Sequence, residues 1–405
     1  MAQRHAVVVG GGIGGLSAAV GLHRVGWRVT VYERAAAFDA IGAGISLWPN
    51  AQRALAELGV RPPTAPQRGG GLSTATGRRL ARWDAATFER RYGLPLGVVH
   101  RADLIEALCA ELPASSLRAG VTVISVSPDG LVRHGDGEVR ADLVVAADGI
   151  NSPVRQAFWP SSRLAYSGST AFRGVVELPE APRLSTTWAR GTEAGVLPLH
   201  DGRVYWWVAE AVPEGIRHAD VRAHLASVCG GWHAPIPELI ASTPEILHHD
   251  VFQLATPLPA YTRGRVALLG DAAHAMPPFL GQGGCQAIED AVVLAATMST
   301  SDTVSTALAR YDAERRPRSQ HVARASIRAG AAGPLLRNRV ALAVRNSLLR
   351  LAPSSVTARV GGDINAWSPP SLSPHRPPAP LRRPRSRPAP GCAHPAGSGS
   401  CSRAP

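Results

Sequence analysis

The 405-residue sequence contains no lysine, so all 43 of its basic residues are arginines. Exclusive use of arginine beside abundant alanine, glycine and proline is typical of a GC-rich coding sequence and says little about binding partners. The net charge of +13 is also unevenly spread. Residues 1–309 carry 26 arginines and 27 acids, whereas 17 arginines and three acids follow residue 309. Since the main body is nearly neutral, the composition does not favour a nucleic-acid-binding function.

Cysteine is scarce as well, and its five residues form neither a CxxC motif nor a Cys/His spacing suited to a metal. We therefore expect reduced thiols, no metal site and a cytoplasmic protein. Cys285 lies at a predicted helix start, where its pKa could be lowered, but a buried structural role is the favoured interpretation. No uncharged apolar run approaches the roughly 20 residues that span a bilayer, so no integral membrane contact is expected.

The patterning predicts two interleaved domains followed by a tail. Strand, helix and strand patterns over His5–Val9, Ile13–Val25 and Trp27–Glu33 predict a βαβ unit, and similar patterns recur further along the chain. The predicted boundaries are 1–72, 98–165 and 262–330 for a nucleotide-binding domain, 73–97 and 166–261 for an inserted, mostly antiparallel sheet that holds a substrate, 331–367 for C-terminal helices, and 368–405 for a tail. That tail is rich in proline and arginine, which predicts disorder or the product of a shifted reading frame.

A glycine-rich turn follows the first predicted strand. Gly10, Gly12 and Gly15 form a G-x-G-x-x-G motif between strand and helix, and Glu33 ends the next strand. Such glycines permit a tight turn, close approach of a pyrophosphate and helix–sheet packing, while the acid can bind ribose hydroxyls. The motif predicts a dinucleotide site without separating FAD from NAD. Its further predicted contacts are Ile13, Gly14 and Arg34.

Two further motifs follow predicted strands. In ADGINSPVR, Asp148 and Gly149 stand at a strand end, and Arg155 follows within predicted reach of phosphate or flavin oxygens. In GDAAHAMPPFLGQGG, Asp271 can hydrogen-bond a polyol, and the glycine-rich helix start favours an anion. A dinucleotide with a polyol arm and a ring that becomes anionic on reduction would fit, which favours FAD over NAD. The predicted contacts from this second motif are Gly281, Gly283 and Gly284.

In this order, the three motifs resemble the FAD-dependent aromatic-ring monooxygenases, which include salicylate hydroxylase-like, urate hydroxylase-like and zeaxanthin epoxidase-like enzymes. The resemblance covers roughly residues 5–330 and includes GAGISLWPNA at 42–51, HRADLIEAL at 100–108, AFRGVV at 171–176 and YDAERRPR at 311–318. It implies an α/β fold with a Rossmann-like FAD-binding domain, an inserted mostly antiparallel sheet and C-terminal helices.

The resemblance also implies cofactors and roles. NAD(P)H would reduce the FAD, and O2 would then form a flavin hydroperoxide that hydroxylates or epoxidises a small molecule. Arg101 would contact the cofactor from its helix start, and Asp271 would bind the ribityl chain. Gly281, Gln282 and Gly283 would lie beside the pyrimidine edge of the flavin. Pro277 and Pro278 would form a wall facing the reacting edge of the flavin. The arginines at 315, 316 and 318 would form a structural or solvated face.

The predicted substrate is an uncharged aromatic or polyene molecule, because Phe279 and Leu280 precede the glycine turn where urate-active relatives carry an acid. Trp206 and Trp207 are candidates to line the pocket or to belong to the core. The candidate catalytic side chains are Arg173, Tyr205 and His200, with His274 a further candidate base. A structural role is the alternative for each candidate base.

Other functions fit less of the sequence. Flavin-dependent halogenases resemble sequences with a catalytic lysine and a W-x-W-x-I-P segment, and this chain has neither. A nicotinamide-only dehydrogenase would use the first motif and leave the other two without a role. A different flavoenzyme and an inactive flavin-binding remnant stay open, as do a monomer and a homodimer.

Overall fold

The chain folds around two large sheets, as seen in a computed structural model that describes residues 3–38, 43–180, 182–353 and 361–372. The strands are β1 (His5–Val9), β2 (Arg28–Glu33), β3 (Gly44–Leu47), β4 (Ala65–Pro66), β5 (Gly70–Thr74), β6 (Arg79–Trp83), β7 (Gly97–His100), β8 (Leu117–Ala119), β9 (Val123–Val126), β10 (Leu131–His134), β11 (Gly137–Arg140), β12 (Leu143–Ala146), β13 (Leu164–Glu177), β14 (Leu184–Trp188), β15 (Thr192–Pro198), β16 (Arg203–Glu210), β17 (Leu247–Leu254), β18 (Thr262–Arg263) and β19 (Val266–Leu268).

Helices cover the first sheet and one face of the second. They are α1 (Ile13–Arg24), α2 (Pro49–Glu57), α3 (Ala85–Tyr92), α4 (Arg101–Ala110), α5 (Pro153–Phe158), α6 (Val221–Cys229), α7 (Ile236–Ser242), α8 (Asp271–His274), α9 (Gly283–Thr300), α10 (Val304–Ala332), α11 (Arg339–Leu351) and α12 (Gly362–Ala366). Single 3-10 turns lie at Ala114–Ser116 and Pro278–Leu280.

The first sheet has six strands in the order β18-β19-β12-β1-β2-β8, and only the β18–β19 pair is antiparallel. Its central strand β1 is buried along its whole length, as expected for a parallel sheet covered on both faces. The order places the carboxyl ends of β19, β12, β1 and β2 side by side, which is where open α/β sheets bind ligands. The predicted Rossmann-like domain is confirmed.

The second sheet has seven strands in the order β17-β13-β16-β15-β14-β5-β6, antiparallel except for the β14–β5 pair. One face packs on α6 and α7 through a core that includes Phe172, Trp206 and Leu225. The opposite face carries Tyr205, Leu197 and other apolar side chains, which pack against β7 and the segment beside β3. The predicted inserted antiparallel sheet is therefore confirmed, and only its second face is turned towards the nucleotide-binding elements.

Arg315 of α10 is fully buried, so this residue takes the structural alternative of the predicted structural or solvated face. Its Nη1 lies 2.6 Å from Glu289 Oε2, and its Nε lies 2.7 Å from Asp290 Oδ1, both on α9. Arg318 binds Glu289 as well, whereas Arg316 pairs with its own helix at a partly exposed position. The sequence pattern alone does not distinguish these three positions.

The start of the predicted tail also differs from expectation. Residues 368–372 are placed, Leu372 is buried in the main core, and its N–H donates to the Glu57 carboxylate. The prediction of disorder is thus wrong for these five residues, and the rest of the tail lies outside the described residues. Among the described residues, no helix is long and apolar enough to cross a membrane.

Replacing Arg315 by leucine should lower the free energy of unfolding by about 3–5 kcal/mol, because two buried carboxylates would lose their shared cation. Arg316→Leu should cost less than about 1 kcal/mol, since Arg316 pairs with Asp312 near the surface. Urea unfolding followed by circular dichroism measures both losses. Equal losses would show that the buried ion pairs contribute no more than a surface pair.

The same cluster should make stability depend on acid pH. Burial opposes ionisation of Asp290, but His274 and Arg315 together hold its pKa at about 2, below the ordinary 3.8. Its contribution is therefore complete above pH 3.8 and is lost as the pH falls towards 2. The stability difference between wild type and Asp290→Asn, measured by urea unfolding, should be largest at pH 5 and should shrink at pH 2.5. A constant difference would contradict the assignment.

Candidate functional site

The glycine turn after β1 has the geometry of a phosphate cradle. Gly10 has φ +105°, and a Cβ there would lie 2.3 Å from the Ala147 carbonyl oxygen. A Cβ on Gly15 would lie 2.0 Å from the Gly10 oxygen, whereas a Cβ on Gly12 would meet nothing within 4 Å. Gly10 and Gly15 are thus required by the turn itself, and Gly12 leaves space for a ligand beside the α1 N-terminus.

Two further residues predicted from this motif, Ile13 and Gly14, lie in the first turn of α1. A Cβ on Gly14 would meet Leu269 and Ala287, so this glycine permits the close packing of α1 on α9. Ile13 is 6% exposed and belongs to the main core. The Ile13 side chain and the Gly14 Cα thus pack in the core, and the predicted cofactor contacts of the two residues stay a prediction for their backbone N–H groups at the α1 N-terminus.

Glu33, at the end of β2, is positioned by the glycine turn. Its Oε2 accepts from the Gly11 N–H at 2.7 Å, and its Oε1 accepts from the Ala35 N–H at 2.8 Å. Each carboxylate oxygen has a further lone pair, so the predicted ribose contact is compatible with these bonds. Arg34 beside it is exposed.

Asp148 and Gly149 follow β12 and border the same edge. Burial raises the pKa of the Asp148 carboxyl despite its hydrogen bond from the Val154 N–H, and its Oδ1 has no partner among the described residues. A Cβ on Gly149 would meet nothing within 4 Å. Both observations leave room and hydrogen-bonding capacity for a ligand.

Arg155 does not face this open edge, which corrects its predicted contact with phosphate or flavin oxygens. Its side chain is 1% exposed and donates to the carbonyls of Ile150 and Ala272 at 2.6 and 3.2 Å. Since these carbonyls belong to the segments that follow β12 and β19, Arg155 fixes the two loops relative to each other.

The loop after β19 brings Asp271 beside the first turn of α9. Asp271 is exposed, and a Cβ on Gly283 would lie 3.9 Å from its Oδ1. Gly281 has φ +62° and packs near Trp48, while Gly284 packs on Ile45 of β3. This end of α9 therefore presents backbone N–H groups next to a carboxylate, and β3 lies against it.

The Gln282 side chain is turned inwards, so its predicted place beside the cofactor stays a prediction for its backbone alone. It is 3% exposed, and its Oε1 accepts from Asn50 at 3.0 Å and from Gln286 at 3.3 Å. Cys285, one turn further on, is fully buried, and burial raises its pKa to about 12, which confirms its structural role.

The side chains predicted to be catalytic are not all brought together. Tyr205 packs on Gly44 of β3, and Arg173 of the adjacent strand β13 lies on the same face, close enough for its charge to act on the Tyr205 pKa. Burial raises the pKa of Tyr205 against the opposing pull of Arg173, so this phenol is a neutral donor at pH 7 and not a base. These two residues therefore form one polar pair on the face of the second sheet that packs against β3, the strand that contacts Gly281 and Gly284.

The two candidate histidines lie elsewhere. His200 stands on the exposed turn between β15 and β16, where its Nε2 lies 3.1 Å from Asp103 of α4. His274 is 2% exposed and binds Asp290 at 2.6 Å within the Arg315 cluster. The prediction of either as a catalytic base is corrected, since neither shares the face that carries Tyr205. Arg101 is exposed at the first position of α4.

The tryptophan pair is split across the second sheet. Trp206 is 2% exposed, and its Nε1 donates to Thr243 at 2.7 Å on the α7 side, so it belongs to the core. Trp207 faces the other way and lies beside Tyr205, with ring centroids 5.9 Å apart. Adjacent residues of a strand point to opposite faces, which makes a shared role for the pair impossible.

Helix α10 supports the proline loop. Ser326 donates to the Pro277 carbonyl oxygen at 2.6 Å, and Gly330 gives room to the Phe279 ring, which a Cβ there would approach to 2.3 Å. Pro277 is buried and Pro278 is exposed. The roles of both prolines as a wall facing the cofactor stay a prediction.

Glu193 is the functional candidate that the sequence analysis missed. It is buried on the Tyr205 face of β15, and its carboxylate accepts hydrogen bonds from Trp188 and Trp207. Its signal in the sequence was a single acid within the otherwise uncharged segment TEAGVLP.

The residues present fit FAD. The strand ends supply open space at Gly12 and Gly149. Two buried polar atoms border the same edge and have no hydrogen-bond partner in the described part of the chain, Asp148 Oδ1 and Trp48 Nε1. A dinucleotide with a polyol arm can satisfy such groups, with an anionic part at the N-terminus of α1 or α9. Within the described ranges, no three His, Cys, Asp or Glu residues lie close enough to hold a metal.

Residues 3–326 match the protein family described as the FAD binding domain. The chain belongs to this family. It is 39% identical over 362 residues to the aurachin C monooxygenase/isomerase of Stigmatella aurantiaca, covering 86% of this chain and 94% of that protein. It is 35% identical over 334 residues to the FAD-dependent urate hydroxylase of Klebsiella pneumoniae, covering 76% of this chain and 85% of that protein.

A solved structure has the same architecture. Klebsiella pneumoniae HpxO complexed with FAD and uric acid superposes with a TM-score of 0.83 at 30% identity, covering 89% of this chain and 96% of that chain. The chain is thus an FAD-dependent monooxygenase, in a family whose members ordinarily use NAD(P)H and O2. The predicted family, cofactors and reaction class are confirmed.

Gly12→Ala should weaken FAD binding on the order of 10-fold while leaving the apoprotein's melting temperature unchanged, because the added methyl enters space that only a ligand needs. Gly15→Ala should destabilise the apoprotein by about 1–3 kcal/mol, since its methyl meets the Gly10 carbonyl. Flavin-fluorescence titration and thermal unfolding separate the two effects. Wild-type FAD affinity in Gly12→Ala would refute the cradle.

Proposed function

We propose that this monooxygenase hydroxylates an uncharged, largely apolar aromatic ring that carries an oxygen substituent. The observation that carries the proposal is the Arg173–Tyr205 pair, set among apolar side chains on the face of the second sheet that packs against β3 and β7. The pair can donate hydrogen bonds to a ring oxygen, and the surrounding side chains can pack on the ring.

The position of Tyr205 relative to the cofactor edge supports this role. Tyr205 packs on Gly44, the first residue of β3, and the next residues of that strand contact the glycine turn at Gly281 and Gly284. A ring bound between Tyr205 and this turn would therefore lie beside the N-terminus of α9. The relatives of this chain include a 3-amino-4-hydroxybenzoate 2-monooxygenase and a 6-hydroxynicotinate 3-monooxygenase, and the rings in both names carry an oxygen substituent.

The chain's own residues would bind, orient and exclude water. Gly12 and Glu33 would hold the ADP half, Asp271 the ribityl chain, and the α9 N-terminus would stabilise negative charge near Gly283. Bound FAD supplies hydride acceptance and O2 activation. Arg173 would favour the ionised form of the ring's hydroxyl, which makes the ring carbon electron-rich, and Tyr205 would donate to the same oxygen.

The location and assembly belong to this proposal too. We propose a cytoplasmic enzyme that acts as a monomer or homodimer on a small molecule. Free thiols at Cys109, Cys229 and Cys285 support a reducing compartment.

The proposal is tested by offering the FAD-loaded protein a panel of phenols, bicyclic phenols and conjugated polyenes. The measurements are ring-stimulated NAD(P)H oxidation, product mass and hydrogen peroxide formed in parallel. Uncharged phenolic rings should give product that contains one added oxygen atom. Turnover without O2 on another acceptor would overturn the proposal, and preference for polyenes or for carboxylate-bearing rings would overturn the substrate class.

Tyr205→Phe should lower kcat/KM about 10-fold without changing the melting temperature, because it removes one hydrogen bond to the ring's oxygen. The matched control is Tyr166→Phe, since the Tyr166 hydroxyl of the same sheet donates to the Val212 carbonyl at 2.8 Å and not to the Arg173 face. Steady-state kinetics with the best phenol of the panel measure both. An equal effect in the two variants would place the site elsewhere.

A further inference from the structure

Glu193 is a buried carboxylate with no ion-pair partner in the part of the chain that the structure describes. It is 9% exposed on β15, and its two oxygens accept from different indoles, Trp188 Nε1 at 2.6 Å and Trp207 Nε1 at 3.0 Å. Burying a carboxylate without a cation is unfavourable, and burial raises the pKa of Glu193 against the effect of the two indole N–H groups. Such a residue calls for a functional explanation.

The hydrogen bond to Glu193 fixes Trp207 in one position. The Trp207 ring lies across Gly195 on the neighbouring strand, where a Cβ would come within 1.9 Å of its Cη2. Gly195 thus admits the ring, and Glu193 holds its N–H. The ring also stacks beside Tyr205, with an interplanar angle of 29°. Trp207 is therefore immobilised next to the proposed oxygen-binding pair.

The second indole anchors the carboxylate itself. Trp188 is covered by the Arg345 guanidinium of α11 at 4.7 Å from its ring centroid, and it packs near Gly333 at the end of α10. Trp188 is thus held from outside the sheet. Its indole N–H fixes the Glu193 carboxylate, and this carboxylate in turn fixes Trp207. A carboxylate suits this position because both oxygens accept, whereas a glutamine would turn its NH2 towards one indole N–H.

We propose that Glu193 is a specificity-determining positioning residue that holds Trp207 as the rigid aromatic wall of the substrate pocket. This inference rests on the proposed function, which places the ring against the Tyr205 face. A rigid wall keeps the ring oriented towards the reacting edge of the cofactor, and displacement of about 1 Å from such an orientation can cost on the order of 100-fold in rate. Loss of Glu193 should therefore divert reducing equivalents to hydrogen peroxide.

Glu210 provides the matched control. It is a buried glutamate of the neighbouring strand β16, diagonal to Glu193 in the register, but its carboxylate binds His224 of α6 at 2.6 Å on the opposite face of the sheet. Glu210→Gln thus removes the same charge from the same sheet without touching the Tyr205 face.

The experiment compares Glu193→Gln, Trp207→Phe, their double variant and Glu210→Gln, all loaded with FAD. The probes are the Kd for 2-naphthol, read from the flavin absorption spectrum, and the ratio of product to NAD(P)H consumed. Glu193→Gln and Trp207→Phe should each raise the Kd on the order of 10-fold and lower the product ratio. The double variant should lose no more than either single one, because both remove the same bond.

The outcomes separate this inference from the proposed function. Wild-type Kd and product ratio in a folded Glu193→Gln, equal losses in Glu210→Gln, or additive losses in the double variant would each overturn the positioning role. If Glu193→Gln does not fold, Trp207→Phe tests the same bond from its other end. Failure of the wild-type protein to bind 2-naphthol would instead count against the proposed substrate class, and the positioning role would fall with it.

Discussion

One buried guanidinium, that of Arg315, ties together the elements that form the cofactor edge. It fixes α9 through Glu289 and Asp290, and α9 begins in the turn at residues 281–284. Asp290 in turn accepts from the Gly270 N–H at 3.0 Å and from His274, so the loop that carries Asp271 is set by the same charge. The positions of the turn, the helix start and Asp271, the proposed polyol-binding carboxylate, therefore all depend on Arg315.

This cluster shows why a polar core is placed behind a site that must stay open. Apolar packing is non-directional and would hold α9 without fixing its rotation, whereas the bonds from Arg315 to two adjacent acids are directional. The same cluster draws the Gln282 and Asn50 side chains inwards by hydrogen bonds, which leaves the backbone N–H groups of the helix start uncovered. Breaking a buried pair is costly once it is formed, so the arrangement is retained when the site is empty.

Periodicity and glycine spacing were sufficient to predict the first sheet, its glycine turn and the inserted sheet, because each depends on short-range patterns. They could not decide which face of a strand meets the cofactor edge, so Trp206 and Trp207 were treated as one pair. The choice between a structural and a solvated role for Arg315 also stayed open, since an arginine at a helical position gives the same sequence pattern whether solvent or two carboxylates surround it. The available signal was the pair Glu289-Asp290 within the apolar run of α9.

The buried acids distinguish the scaffold from the sites. Glu289 and Asp290 have lowered pKa values because cations compensate their burial. Among the described acids with a shifted pKa, only Asp148 and Glu193 are raised, and neither has a salt bridge. Asp148 borders the cofactor edge, and Glu193 borders the Tyr205 face. A cation at either place would fill the space that a ligand requires or neutralise the carboxylate that the ligand contacts. Uncompensated burial in a stable fold is retained where function needs it, which supports our proposal that Asp148 and Glu193 border the two halves of the active site.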